Sequence, residues 1–258
     1  MSDKKRPTPE TDRSILFLGK KKDKHVEKAL QVCQQNFSDV TSHLGAWGDP
    51  LPEDVGWWEG EYIFSYLSRW VVPEYLLKKA KVAAINFHPA SPDYPGIGCG
   101  NFALYEETKE YGVTCHRMAS RVDTGSIIAV RRFPVFATDN VATLLSRTYD
   151  YLLGLFYEIV GFIIEGKDLP VSEERWTRKP YSRGELNELG QITPEMSKEE
   201  IAKKIRAMTF DLWKPTVEIQ GFVFELKTDQ EANAQEQARV TRRLPPVVGS
   251  LDSEAKGE

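Results

Sequence analysis

The chain has 258 residues, 41% of them hydrophobic, enough to bury one full core and a small second lobe. Its 34 Lys and Arg against 38 Asp and Glu give a formal charge of −4, so no chain-wide basic field exists to hold a nucleic acid or an anionic membrane. Three cysteines (Cys33, Cys99, Cys115) in apolar settings, an N-terminus without a signal-peptide apolar stretch, and no run of about 18 apolar residues lead to the expectation of a soluble protein of the reducing cytoplasm.

Residues 1–13 and 228–258 are polar, and both are expected to be flexible tails. The body opens with the apolar run Ser14 to Gly19, a strand buried on both faces, followed by a helix with Val26, Ala29, Leu30, Cys33 and Phe37 on its apolar side. Glu61 to Leu67 reads as a second strand, Pro73 to Ala80 as a short helix, and Val82 to Phe87 as a third strand. Gly98 to Thr108 reads as a helix, with strands at Gly112 to Met118 and Ser126 to Val135, the latter antiparallel. Asp139 is expected to cap a long helix carrying Val141, Leu144, Leu145, Leu152, Phe156, Val160 and Ile163 on one stripe and ended by Gly166. Beyond Leu169 the sequence turns charged and proline-bearing, then forms a helix from Ser197 to Met208 and a strand or hairpin from Val217 to Leu226. The expected fold is a Rossmann-like α/β sheet over residues 14–180, with a small C-terminal helix and hairpin subdomain over 181–227.

Asn86 and His88 close the third strand and lie two residues apart, so both project to one side of the chain, where open α/β sheets place reactive groups. An amide can donate to a developing oxyanion and a neutral imidazole can accept a proton, and a carboxylate from the Asp123 turn can support the imidazole. Cys99, Cys115 and His116 match no structural zinc spacing, and Cys115 and His116 fall on opposite faces of their strand. Lys20 to Lys24 is a candidate contact for a nucleotide diphosphate, and Trp47, Trp57 and Trp58 for stacking on a base or sugar. Phe210 and Trp213 are expected to anchor the small lobe or a dimer contact.

Ile85-Asn-Phe-His-Pro-Ala-Ser-Pro-Asp-Tyr-Pro-Gly-Ile-Gly98, Gly112-Val-Thr-Cys-His-Arg-Met118 and Asp123-Thr-Gly-Ser-Ile-Ile128 together resemble the 10-formyltetrahydrofolate-dependent formyltransferases, from about Ile15 to Leu169. The resemblance implies catalytic roles for Asn86, His88 and Asp123, with N10-formyltetrahydrofolate as co-substrate and no metal. It implies that Ser68, Arg69, Trp70 and Val71, with Ala119, Ser120, Arg121 and Val122, hold the pterin. Tyr94, Gly96 and Gly98 are candidate substrate contacts. The sequence departs from the family in Ala90 to Asp93, where Leu-Leu-Pro is common, and in Gly19 to Asp23, which lacks a glycine-rich phosphate loop. Residues 228–258 are short and mixed in charge, unlike the basic domain of the tRNA-directed branch. Ile192 to Ala207 and Val217 to Gly221 are similar to the sugar N-formyltransferases. That branch implies an acceptor amine on a dTDP- or GDP-linked amino-deoxy sugar, a role in O-antigen-type polysaccharide synthesis, and a homodimer. The rival readings are a formyltetrahydrofolate hydrolase, a formyltransferase with another acceptor, and a non-catalytic binding module on the same fold.

Overall fold

The computed structural model describes residues 11–210 and 213–227. Strand β1 (Thr11–Lys20) lies next to one edge of a six-stranded sheet with β2 (Phe37–Gly45), β3 (Gly60–Tyr66), β4 (Ala80–His88), β5 (Glu110–Arg117) and β6 (Ile127–Pro134). Their order is β2-β1-β3-β4-β5-β6; the first four are parallel, and β5 and β6 run antiparallel to their neighbours. The expected α/β architecture is thus observed, with β2 as an addition. Residues 1–10 and 228–258 lie outside the described residues, but Thr11 already pairs with Phe37, so the first strand begins before Ser14.

The run Ile15 to Leu18 is wholly buried because the sheet is covered twice. Ile15 and Phe17 join the larger core beneath helices α1 (Lys24–Asn36) and α4 (Val141–Ile164), whereas Leu16 and Leu18 meet Val55, Trp58, Ile63, Val72 and Leu76 on the other face. Asp23 starts α1 by accepting the His25 and Val26 amides. Phe37 is not on the helix stripe as expected: it opens β2, whose residues are buried chiefly at its two ends, as suits a sheet edge.

The short helix after Pro73 is one turn, α2 (Glu74–Leu77), and Ala80 already belongs to β4. Helix α3 (Cys99–Tyr105) is likewise shorter than the Gly98 to Thr108 expectation. The long helix keeps its apolar stripe, but its cap is Asn140, which forms a reciprocal capping box with Thr143. Asp139 instead receives the Phe136 amide and pairs with Arg147 at 2.8 Å. Gly166 ends the helix in the left-handed region, φ +66. Among the described residues no helix is long and apolar enough to cross a membrane.

The C-terminal part contains α5 (Arg183–Leu189), β7 (Gln191–Ile192), α6 (Lys198–Met208) and a hairpin, β8 (Thr216–Ile219) with β9 (Phe222–Glu225). It grips α3 directly: the Asn101 side-chain amide donates to the Ala207 carbonyl at 2.6 Å and the Tyr105 hydroxyl to Glu200 at 2.7 Å. Phe210 and Trp213 exchange backbone hydrogen bonds with one another.

Candidate active site

The antiparallel register of β4 and β5 sets Asn86 opposite His116 on one face, while Ile85, Phe87 and Cys115 enter the core on the other. Asn86 Nδ2 lies 3.0 Å from His116 Nε2, and His116 Nδ1 lies 2.8 Å from the Arg117 carbonyl. With Nδ1–H donated to that carbonyl, the neutral ring accepts an Asn86 amide hydrogen, leaving the second amide hydrogen for another acceptor. Asp123 Oδ1 is 3.3 Å from the same Nε2.

Asp123 is 3% exposed and sits between two imidazoles: its Oδ2 lies 3.3 Å from His88 Nδ1. The residue adopts φ +48, a left-handed conformation that aspartate tolerates, and Gly125 follows where a Cβ would lie 1.8 Å from the Arg117 carbonyl oxygen. This close approach gives the Asp-x-Gly spacing its physical reason. Burial by itself raises the Asp123 pKa, yet attraction to His88, the contact with His116 and the Gly96 amide at 2.8 Å hold it down to about 2. His88 is 4% exposed, and burial lowers its pKa against the opposing pull of Asp123.

His88 Nε2 donates to the Tyr94 carbonyl at 3.0 Å, and the Cys99 thiol lies 3.8 Å from the same nitrogen. Burial raises the Cys99 pKa, keeping that group a thiol. Cover comes from Trp176, whose indole stands edge-on to both imidazoles, 5.0 Å from His116 and 5.7 Å from His88, and donates to the Gly125 carbonyl at 2.8 Å. Among the described residues no group of three His, Cys, Asp and Glu side chains is arranged to hold a metal ion.

The structure brings Asn86, His88 and Asp123 together, joined by two residues the sequence reading did not select, His116 and Trp176. The candidate substrate contacts have protein partners in this structure. Tyr94 is buried with its hydroxyl on Glu106, Gly96 (φ +94) is pressed against the Tyr181 backbone, and Gly98 (φ +70) packs on Leu186. All three shape the loop that holds His88 and Asp123. Trp70 and Met118, at or beside the two segments expected to hold a pterin, border one apolar cluster with Leu16, Leu18 and Val72. Ser68 accepts the Trp70 amide, Leu67 before it has φ +51, and Arg69 stacks over exposed Trp47 at 4.8 Å; Ala119 to Val122 are exposed. Trp58 is buried, whereas Trp57 is open to solvent. Lys20 is engaged by Asp23 at 3.0 Å, leaving exposed Lys21 and Lys22 as the cations of that loop.

Residues 63–156, which contain Asn86, His88, His116 and Asp123, match the family model for formyl transferase. The chain carries a formyl transferase domain. It is 31% identical over 166 residues to the GDP-perosamine N-formyltransferase of Brucella melitensis, a match covering 64% of this chain and 63% of that protein. It is 29% identical over 138 residues to the methionyl-tRNA formyltransferase of Levilactobacillus brevis, covering 53% and 44%. The chain thus spans less than two thirds of the length of these curated relatives. The fold of the formyl transferase domain and its C-terminal extension is shared with a 4-N formyltransferase from Francisella tularensis (TM-score 0.67, 16% identity, 83% of this chain and 97% of that one). It is also shared with an N-formyltransferase from Helicobacter canadensis in complex with folinic acid and dTDP-3-aminofucose (TM-score 0.63, 19% identity, 81% and 84%).

Proposed function

We propose that this chain moves a formyl group from N10-formyltetrahydrofolate to the amine of a dTDP- or GDP-linked amino-deoxy sugar, giving a formamido sugar and tetrahydrofolate for O-antigen-type surface polysaccharide. The observation that carries the reading is the buried cluster of His88, Asp123 and His116 with half-buried Asn86 at its border, all inside the matched domain. The acceptor nitrogen attacks the formyl carbon, the bond to N10 breaks, and N10 takes up a proton. Asn86 donates its free amide hydrogen to the oxygen of the tetrahedral intermediate. His88 receives the proton from the amine at Nε2; since Nε2–H rests on the Tyr94 carbonyl, substrate entry must break that contact and the ring proton must sit on Nδ1, facing Asp123, so that Nε2 presents its lone pair. Ionised Asp123 stabilises the imidazolium so formed.

The pterin is assigned to the apolar border between Ser68–Val71 and Ala119–Val122. The sugar acceptor is supported by the Brucella relative and by the dTDP-3-aminofucose bound to the Helicobacter protein. A second acceptor, methionyl-tRNA, is favoured by the identity to the Levilactobacillus enzyme and disfavoured by the net charge of −4. Three free buried thiols support a reducing compartment. Phe222, Val223 and Phe224, exposed on edge strand β9, support a homodimer.

The deciding experiment incubates the full chain with formyltetrahydrofolate and a panel of dTDP- and GDP-linked amino sugars, methionyl-tRNA, or no acceptor, reading products by mass. The proposal expects a formyl mass gain on an amino sugar. Gain on methionyl-tRNA alone, or formate released without an acceptor, overturns it.

A further inference from the structure

The segment between α4 and α5 has no helix or ladder, yet it alternates in burial. Ser172, Glu174, Trp176, Arg178 and Pro180 are half-buried and Val171, Glu173, Arg175, Thr177 and Lys179 are exposed. It runs as an extended strap across the mouth of the catalytic cluster. Ser172 N donates to the Ile127 carbonyl at 3.2 Å, Thr177 N to the Pro92 carbonyl at 3.3 Å, and Tyr181 N to the Pro95 carbonyl at 2.8 Å. The strap is therefore fastened both to the strand after the Asp123 turn and to the loop after His88, with Trp176 between the fastenings.

We infer that Trp176 is a positioning residue for the reaction: its indole pins the Asp123–Gly125 turn and closes the Asp123 carboxylate and both imidazoles to water. This rests on the formyl-transfer reading of the site. The pinning is specific. The indole N–H holds the Gly125 carbonyl, Gly125 is pressed on the Arg117 carbonyl, and that carbonyl receives His116 Nδ1–H, the contact that leaves Nε2 free to orient Asn86. The groups facing Asp123 are His88 from β4, His116 from β5, the Gly96 amide from the loop, the buried Cys99 thiol from α3 and the Trp176 ring from the strap. Asp123 is the carboxylate paired with His88, so water admitted over the cluster both weakens that pairing and relieves the burial that lowers the His88 pKa. Burial is the larger influence on His88, so uncovering the ring raises its pKa.

Two variants separate the indole's roles: Trp176→Ala removes ring and N–H, and Trp176→Phe keeps a ring but loses the donor. The chain has four histidines, so histidine-labelled full-length protein permits each imidazole to be titrated by NMR without any substrate. In W176A the His88 midpoint is expected to rise, and turnover with the accepted sugar to fall roughly 10- to 100-fold at unchanged KM. In W176F the midpoint is expected to hold, with a turnover loss of about fivefold for the missing hydrogen bond. A wild-type His88 titration in folded W176A, a loss carried by KM, or a W176F enzyme with wild-type turnover overturns the assignment. Should W176A not fold, the W176F rate decides alone. Absence of formyl transfer in the wild-type chain, with the W176A titration shifted as expected, would sink the proposed reaction and leave the structural role of the indole standing.

Discussion

Replacing Asp123 by Asn removes one charge from a site where two imidazoles and a backbone amide are arranged to receive it. The folded-state pKa of about 2, against an ordinary 3.8, makes the ionised carboxylate worth about 2 kcal/mol of stability. Because the folded value is the lower one, this contribution is complete above pH 4 and disappears as pH falls toward 2. By linkage about half remains at pH 3. Urea unfolding of wild type and Asp123→Asn should therefore show a stability gap that narrows by about 1 kcal/mol between pH 5 and pH 3. A gap that stays level or widens would mean that Asp123 is not held ionised by its two neighbours. The same variant removes the influence that raises the His88 pKa, so the acid limb of turnover should move to lower pH while the rate falls.

Four further outcomes follow from the same structure. His88→Asn should cost about 10²- to 10⁴-fold in turnover and Asn86→Ala about 10²- to 10³-fold, with donor affinity retained in a direct binding measurement; near-normal turnover in either removes that residue from its assigned step. Gly96→Ala forces a side chain into φ +94 with its Cβ 2.4 Å from the Tyr181 carbonyl oxygen, so it should lower the melting temperature and impair turnover together. Cys33, Cys99 and Cys115 are buried thiols whose pKa values burial raises, so a maleimide reagent should label none in the native protein and all three in denaturant.

The parallel core of the fold was legible because its strands are apolar on both faces, and Asn86 and His88 were legible because they end such a strand. Asp123 was found through its glycine, which lies where no Cβ fits. Edge strand β2 was missed because its middle carries Ser38, Asp39, Thr41, Ser42 and His43, and a strand with one neighbour needs no apolar alternation. His116 was weighed only as a metal ligand: its pairing with Asn86 depends on the register between β4 and β5, which no local pattern encodes. Trp176 was hidden in charged sequence. A period of two is present there, but the inward positions are mostly polar, so hydropathy does not show it. Tyr94, Gly96 and Gly98, the candidate substrate contacts, meet Glu106, Tyr181 and Leu186, partners that no local pattern encodes.

The contacts between α6 and the rest of the molecule bear on how acceptor preference can be re-engineered. Arg206 donates to the Asp139 carbonyl at 2.7 Å and to the Phe136 carbonyl, while Ala207 and Glu200 receive Asn101 and Tyr105 of α3. Helix α3 begins beside Gly98, one residue beyond the stretch that supplies the Gly96 amide to Asp123. A chimaera that grafts another C-terminal segment after residue 190 therefore replaces a support of the reaction centre along with any acceptor contacts. Unless Asn101, Tyr105 and Arg206 keep their partners, such a hybrid will lose turnover for every acceptor alike, and a change of selectivity will be invisible behind that loss.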